Sequence, residues 1–260
     1  MIRGFSLLLP EAHLMFHVKH NGEQQDALPM EKANISEMFH VKHQQPSTLL
    51  LAGGRTPSSG WLKQVVAGNK LSVFCADRGV DYALGAGIVP QLVVGDCDSS
   101  SPNSYAQAEA LGARLEVHPP AKDDTDLQLL LQKLPTAPLL ASGIWGGRFD
   151  HLFSNVYSLL EYKKQRDVQV VLADEQELLV LVTGGESIEL DLLAPHKMHA
   201  LSLLPLSEAT VVSCSGVRWS LEKAKLSQQR TYAISNEAVS DRVLCICHAG
   251  AVGVYVHWQD

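Results

Sequence analysis

The sequence predicts an α/β domain with a mostly parallel sheet, followed by a small all-β domain of the β-sandwich type. Between residues 48 and 175, short apolar runs alternate with polar loops and helix-like segments, which is the pattern of a parallel sheet with helical crossovers. From residue 176 to residue 260 the chain has short strand-like runs separated by Gly, Pro, Asp or Ser, a pattern typical of a sandwich. We therefore expect domains at 48–175 and 176–260, preceded by an extension at 1–47.

The extension differs in texture from the rest of the chain. The hexapeptide Met-Phe-His-Val-Lys-His occurs at 15–20 and again at 38–43, within otherwise unpatterned polar sequence. We expect residues 1–47 to be a disordered extension without a role in the chemistry. A His-rich metal tract and a short binding motif are alternatives. A third is a translated DNA site, because this hexapeptide can be encoded by an inverted repeat that resembles the centromere-like sites of bacterial chromosome partitioning.

The domain at 48–175 is expected to be Rossmann-like, with strands and helices in alternation. Strands are expected at residues 48–52, 71–76, 92–94, 114–118, 139–142 and 168–173. Helices are expected within residues 61–67, 83–86, 105–111, 127–131 and 152–162. Acids and a threonine precede the fourth helix, so one of these side chains is expected to cap it.

The region after residue 176 reads almost entirely as strands. They are expected at residues 178–183, 187–192, 200–204, 210–213, 231–235, 243–248 and 252–258. Helix is expected only around Glu222. Such short strands with polar turns indicate two packed antiparallel layers.

Composition narrows the function classes. The chain has 260 residues, 46% of them hydrophobic, and a formal charge of -7, which argues against a nucleic-acid binder because such proteins carry basic surfaces. No uncharged apolar run reaches the ~18 residues that a membrane span needs. Five cysteines without framework spacing favour a reduced, cytoplasmic protein.

Acidic side chains follow two of the expected parallel strands. Asp77 comes after the strand at 71–76, and Asp96 and Asp98 come after the strand at 92–94. Alternate side chains of an extended chain point the same way, so Asp96 and Asp98 can face one divalent cation such as Mg²⁺. An ordinary strand-ending turn is the alternative, since Gly, Asp and Ser are common in turns. Function in parallel sheets collects at the carboxyl ends of the strands, which favours the metal interpretation.

Glycine-rich loops follow two other strands. Gly146 and Gly147 would let backbone N–H groups approach phosphate oxygens, and Arg148 could bind phosphate bidentately. Arg55, after the pair Gly53-Gly54, could also meet an anion. Clustered acids need a cation among them, so acids beside a phosphate-binding loop indicate nucleotide phosphoryl transfer.

The order of these motifs resembles the thiamine pyrophosphokinase family from about Thr48 to the end of the chain. The segments that carry the resemblance are Ala76–Gly79, Gly95–Ser99, Thr125-Asp126, Gly146–His151, Ser154-Asn155, Gly216–Leu221 and Ser235–Glu237. Each motif alone is weak, and their shared order makes the resemblance specific. Cys97 departs from the aromatic residue that family members usually carry there.

The resemblance implies transfer of a pyrophosphoryl group from ATP to the hydroxyl of thiamine, giving thiamine diphosphate and AMP. It also implies Mg²⁺, a homodimer with active sites at the interface, a nucleotide- and metal-binding first domain and a thiamine-binding second domain. By matching motifs, the metal- and phosphate-handling acids are Asp77, Asp96, Asp98 and Asp126. The implied ATP-binding residues are Thr125, Gly146, Gly147, Arg148 and Asp150, and the implied thiamine-binding residues are Trp219, Ser235 and Asn236.

Two other functions stay open at this point. One is a pyrophosphokinase for another hydroxymethyl acceptor such as a pterin. The other is a non-catalytic protein that binds a nucleotide or thiamine, although binding alone would not require all four acids.

Overall fold

The computed structural model describes residues 3–9, 14–20, 42–44, 46–96, 100–101, 103–192, 198–230 and 232–258. Its helices in this part of the chain are α1 (Ser59–Asn69), α2 (Gly79–Gly85), α3 (Ser104–Ala110), α4 (Asp126–Lys133) and α5 (Phe149–Arg166). Each overlaps a helix that the sequence predicts, so these predictions are confirmed. None of the described helices is long and apolar enough to cross a membrane.

The strands form two sheets. The strands are β1 (Arg3–Leu9), β2 (Leu14–His20), β3 (Lys42–Gln44), β4 (Thr48–Leu51), β5 (Ser72–Ala76), β6 (Leu92–Gly95), β7 (Arg114–Val117), β8 (Leu139–Ser142), β9 (Val170–Ala173), β10 (Glu177–Thr183), β11 (Glu186–Leu192), β12 (Met198–Pro205), β13 (Thr210–Ser215), β14 (Leu221–Leu226), β15 (Arg242–Ala249) and β16 (Ala251–Trp258). The first sheet has the order β12-β16-β10-β9-β8-β4-β5-β6-β7, and the second β14-β13-β15-β11-β2-β1-β3.

The parallel part of the first sheet contains a switch in chain direction. From β4 the chain proceeds outward through β5, β6 and β7, and it then returns to β8 on the other side of β4. All residues of β4, β6, β8 and β9 are buried, as expected for strands covered on both faces. The carboxyl ends of β4 and β8 flank the switch point, where sheets of this kind bind ligands.

Antiparallel strands continue the first sheet and face the second. Strand β10 pairs with β9 and β16, so hydrogen bonding runs past the expected domain boundary at residues 175 and 176, which stays a prediction. Val180 of β10 shares a core with Ile188 and Val243 of the second sheet. The predicted fold class, α/β followed by an all-β layer, is confirmed.

Two hydrophobic cores lie on opposite faces of the first sheet. The core that includes the second sheet continues under α1, where Trp61 is buried. The other core contains Leu130 of α4 and Leu160 of α5. Because side chains alternate along a strand, Val180 lies in the first core and its neighbour Leu181 in the second.

The first 47 residues differ from the expected disordered extension where the structure describes them. Strand β2 pairs with β11, with Val18 opposite Ile188, and β1 pairs with β2. Val18 is fully buried. Phe16 and Val18 alternate with polar residues in the first hexapeptide, which suits a strand. Without β2, this edge of β11 would have unpaired backbone groups. Of the second hexapeptide, only Lys42 and His43 lie within the described residues, in β3.

Two predictions for the second domain are wrong. Glu222 lies in strand β14, not in a helix, because Leu221 to Leu226 pair with β13. The strand expected at 231–235 is absent from the described residues 232–235. Ala233 and Ser235 have φ values of 67° and 56°, a left-handed conformation that an extended strand cannot contain.

Candidate functional site

A cavity of about 520 Å³ opens at the switch point of the first sheet. Loops after β4, β5, β6 and β8 line it, together with the first turns of α4 and α5. Residues from distant parts of the chain therefore meet where parallel-sheet proteins bind ligands. Those used below are Gly54, Asp77, Asp96, Lys122, Asp126 and Arg148.

The loops after β4 and β8 contact each other through their backbones. The Gly54 N–H donates to the Gly143 carbonyl at 2.7 Å, and the Arg55 N–H donates to the Trp145 carbonyl. A Cβ on Gly54 would lie 2.5 Å from the Trp145 oxygen, so no larger residue fits without moving backbone. The floor of the cavity is thus a close-packed pair of loops.

The Arg55 side chain pairs with two carboxylates of the protein. Its guanidinium donates to Asp174 and Glu177, each at 2.6 Å, and Asp174 is 1% exposed. The Tyr255 hydroxyl donates a hydrogen bond to Glu177 at 2.7 Å. Burial is the larger cause of a raised pKa of Tyr255, and this hydrogen bond raises it further. Nε and Nη2 of Arg55 are engaged by these two carboxylates, and the expectation that Arg55 could meet a ligand anion stays a prediction.

The glycine loop turns into α5 through left-handed residues. Gly146 and Gly147 have φ values of 74° and 67°, which glycine adopts without strain. Both line the cavity, as does Arg148. Arg148 donates to Asp150 at 2.5 and 3.1 Å, and this hydrogen bond lowers the pKa of Asp150. Asp150 itself is outside the cavity lining, so the structure connects it to the cavity through Arg148.

Three of the four candidate acids gather around the cavity. Asp77 follows β5 in a left-handed conformation with φ of 49°, Asp96 follows β6, and Asp126 opens α4. Burial raises the pKa of Asp126; the ammonium of Lys122 opposes this, and the charges of Asp96 and Asp77 add to it. The three carboxylates are therefore close enough to repel one another. Asp98, like Cys97, lies outside the described residues.

Lys122 is a cavity residue that sequence reasoning missed. Its ammonium lies 3.0 Å from Asp126 Oδ1 and 3.4 Å from Asp96 Oδ2. Burial lowers the pKa of Lys122, but hydrogen bonds and charge from Asp126 and Asp96 outweigh it, so the pKa is raised. The available signal was one basic residue in the otherwise acidic run at 122–126.

The acids have the right chemistry for Mg²⁺, which prefers carboxylate oxygens. Asp77, Asp96 and Asp126 supply such oxygens from three different loops around one cavity. As placed, the described residues contain no group of three acidic, His or Cys side chains close enough to hold an ion. The donor set fits a divalent metal ion by its chemistry.

Thr125 caps α4, which confirms the expectation that one side chain at 123–126 does so. Its hydroxyl accepts from the Gln128 N–H at 3.2 Å, and the Gln128 side chain accepts from the Thr125 N–H at 2.9 Å. This capping box fixes the helix start beside Asp126. Thr125 also lines the cavity, so its expected contact with ATP stays a prediction.

The three expected thiamine-binding residues lie together elsewhere. The Asn236 side chain accepts from the Trp219 N–H at 3.1 Å and donates to the Trp219 carbonyl at 2.9 Å. Ser235 precedes Asn236 and donates its N–H to Ser202 at 3.0 Å. The Trp219 side chain is 56% exposed, with the Arg218 guanidinium 5.7 Å from the ring centre. None of the three is among the described residues that line the cavity.

Comparison with protein families gives two matches along the chain. The family model of the thiamin pyrophosphokinase catalytic domain matches residues 63–172. The model of the thiamin pyrophosphokinase vitamin B1 binding domain matches residues 188–246. The two matched segments follow each other along the chain without overlap.

Individual relatives are consistent with these matches. The chain is 31% identical over 172 residues to thiamine pyrophosphokinase of Bacillus subtilis, covering 64% of this chain and 78% of the relative. It is 28% identical over 164 residues to thiamin pyrophosphokinase 1 of Caenorhabditis elegans, covering 59% of this chain and 65% of the relative.

Solved structures show the same fold. A thiamin pyrophosphokinase family protein from Enterococcus faecalis is 26% identical, with a TM-score of 0.66 over 82% of this chain and 99% of its own. Thiamin pyrophosphokinase from Candida albicans has a TM-score of 0.69 over 92% of this chain and 98% of its own. At 15% identity, the likeness to the Candida protein shows the fold alone.

Proposed function

This chain belongs to the thiamin pyrophosphokinase family, and on that premise we propose that it converts ATP and thiamine to AMP and thiamine diphosphate. The observation that carries the proposal is one cavity at the switch point, where Asp77, Asp96 and Asp126 meet a glycine loop and Arg148. Such a cavity combines acids for a metal with donors for phosphate, which is what phosphoryl transfer requires.

The reaction follows from these groups. The hydroxyl oxygen of thiamine attacks the β-phosphorus of ATP, and the bond from that phosphorus to the α–β bridging oxygen breaks, which releases AMP. One carboxylate of the cavity accepts the hydroxyl proton. Bound Mg²⁺ would neutralise charge on the phosphate oxygens. Asp77, Asp96, Asp98 and Asp126 are the residues proposed to hold it.

The glycine loop and its neighbours are proposed to bind ATP. Gly146 and Gly147 adopt a left-handed backbone and line the cavity. Because glycine has no side chain, the N–H groups of this loop can approach phosphate. Arg148 adds a charged donor, and its pairing with Asp150 orients it. Thr125 fixes the start of α4 across the cavity.

Thiamine is proposed to bind against Trp219, Ser235 and Asn236. An aromatic face attracts a cationic ring, and the indole of Trp219 is exposed. The backbone N–H and carbonyl of Trp219 are held by two hydrogen bonds with the Asn236 side chain. Because these residues do not line the cavity of their own chain, a homodimer supplies the missing contact. In it, Trp219 of the partner subunit would face this cavity.

Exposed aromatic residues on α5 support that dimer. Phe149 and Phe153 are 76% and 55% exposed, with ring centres 6.1 Å apart. Both follow the cavity residue Arg148 on the first turns of the helix. Apolar patches of this kind mark interaction surfaces.

A cytoplasmic location is also proposed. Free buried thiols such as Cys75 and Cys245 support it, because thiols stay reduced in the cytoplasm.

A product assay with two acceptors tests the function. Purified protein with ATP and Mg²⁺ should form AMP when thiamine is added and not when a hydroxymethylpterin is added. Asp96→Asn should abolish most of the AMP, whereas Asp241→Asn, a matched change outside the cavity, should not. AMP formation with the pterin alone would transfer the proposal to that acceptor, and thiamine binding without AMP would indicate a non-catalytic protein.

A further inference from the structure

Lys122 lies between two of the carboxylates that are proposed to hold Mg²⁺. Its ammonium bridges Asp126 at 3.0 Å and Asp96 at 3.4 Å, and its side chain is 14% exposed. The Asp96 and Asp126 side chains are 11% and 19% exposed. Charges with so little solvent contact interact more strongly than surface pairs.

The start of α4 is capped by residues other than Lys122. Thr125 and Gln128 satisfy the start of α4 by a complete capping box. The segment before α4 is irregular, and Lys122 also donates to the Pro119 carbonyl at 3.4 Å, which holds its stem toward the cavity. The loop thus delivers a positive charge to the acids although its helix is already capped.

An ammonium and a divalent ion repel each other and compete for the negative charge of these two carboxylates. A free metal ion on Asp96 and Asp126 would therefore weaken both contacts of Lys122. A metal ion that arrives with a triphosphate brings new acceptors, because phosphate oxygens bind an ammonium well. Lys122 therefore gains new hydrogen-bond acceptors when the metal ion binds together with a triphosphate, and gains none when the metal ion binds alone.

We propose that Lys122 is a positioning residue that keeps free divalent metal off Asp96 and Asp126 and gives up its place to the metal–nucleotide complex by moving onto phosphate. The inference rests on the proposed function, since it assumes that a nucleotide enters this cavity. It makes metal loading depend on the nucleotide, so that the charged acids do not hold an ion in the absence of ATP.

The test measures binding to the full-length protein by electron paramagnetic resonance, first of free Mn²⁺ and then of Mn²⁺ with α,β-methylene ATP, in both cases without turnover. Lys122→Met should bind free Mn²⁺ at least about tenfold tighter than the wild type, because a competing charge has gone. It should bind the Mn²⁺ complex of α,β-methylene ATP more weakly than the wild type, because the ammonium no longer reaches phosphate. The two changes have opposite signs, which a general loss of structure would not produce.

Two variants serve as controls. Lys122→Arg keeps the charge and should retain weak binding of free Mn²⁺. Arg148→Met removes another positive charge that lines the cavity. Arg148 pairs with Asp150 and not with Asp96 or Asp126, so this variant should leave free Mn²⁺ binding unchanged. Lys122→Gln, which removes the charge and keeps a polar end, replaces the methionine variant if that one does not fold.

Equal affinity of wild type and Lys122→Met for free Mn²⁺ would overturn the inference. An equal gain in Arg148→Met would also overturn it, since the effect would then be unspecific charge. Absence of AMP formation with thiamine would instead count against the proposed function. The Mn²⁺ measurement uses no thiamine, so the two failures can be told apart.

Discussion

Lys163 and Lys122 both lie against carboxylates with little solvent contact, yet their surroundings differ. Lys163 pairs with Glu186 at 2.9 Å, and the two side chains are 4% and 5% exposed. Both oxygens of Glu186 are satisfied, one by Lys163 and Gln169, the other by the N–H and hydroxyl of Thr183. This pair joins α5 to the second sheet with one acid for one lysine.

The cavity cluster places one lysine among several acids. Lys122 bridges Asp96 and Asp126, and the charge of Asp77 also acts on Asp126. The pKa values move in opposite directions in the two clusters. Burial works against ionised Glu186, but Lys163, Thr183 and Gln169 outweigh it and lower its pKa, whereas the pKa of Asp126 is raised. A satisfied cluster holds the fold, and a cluster with surplus negative charge is suited to a cationic ligand.

Glu186→Ala should give the largest loss of stability. It leaves the buried ammonium of Lys163 without its carboxylate, which typically costs about 3–5 kcal/mol of unfolding free energy. Urea unfolding measures this. Glu161→Ala, a change on the exposed side of α5, is the matched control and should alter stability by less than about 0.5 kcal/mol. Equal effects of the two variants would contradict a structural role for the buried pair.

Asp96→Asn should have the opposite pattern of effects to Glu186→Ala, with a large loss of activity and a small change in stability. Turnover of ATP and thiamine should fall about 100-fold or more, as expected when a charge-stabilising group is lost. The unfolding free energy should change by less than about 1 kcal/mol, because removal of one of several repelling carboxylates relieves charge. Parallel kinetics and urea unfolding separate these effects. Near-normal turnover in this variant would reject the assignment of Asp96.

Thr125→Ala tests whether the hydroxyl serves only the helix. Loss of the cap should cost about 1 kcal/mol of unfolding free energy. Thr125→Ser keeps the hydroxyl and should restore both stability and activity. If the serine variant is stable but its KM for ATP rises, the methyl group of Thr125 contacts the nucleotide, and its role extends beyond capping.

Lowering the pH should have the smallest effect of these tests, and it should change the contributions of Glu186 and Asp126 to stability in opposite directions. Glu186 has a lowered folded pKa, so its stabilisation is present above the unfolded carboxyl pKa and is lost as pH falls through the folded value. Asp126 has a raised folded pKa, so protonation on acidification favours the folded state. The stability difference between wild type and Glu186→Gln should stay level from pH 7 to about pH 5 and shrink as the pH falls below the ordinary glutamate pKa of about 4.3. The difference between wild type and Asp126→Asn should move the other way, and the same direction in both would contradict the contrast.

The fold was largely predictable because its signals are local. Apolar runs such as 139–142 marked buried strands, and the acids before residue 127 marked a helix start. The conformation of Ala233 and Ser235 was not predictable, since β-branched neighbours suggested a strand while the φ values are positive. Pairing of β2 with β11 was also missed, because it joins Val18 to Ile188 across most of the chain.

The site was predictable where its residues follow strand ends. Asp77 and Asp96 lie at the expected edge because parallel strands bring their carboxyl ends together. Lys122 was not predictable, because its contact with Asp96 joins residues 26 positions apart, with α3 and β7 between them. The separation of Trp219 from the cavity depends on how the second sheet packs, which no local pattern encodes.

A crystal structure with Mg²⁺ and α,β-methylene ATP tests the central claim most directly. The account predicts one metal ion on oxygens of Asp77, Asp96 and Asp126, the triphosphate against Gly146 and Gly147, and the Lys122 ammonium on phosphate. A metal ion or nucleotide bound elsewhere, with Lys122 still bridging its two carboxylates, would contradict it.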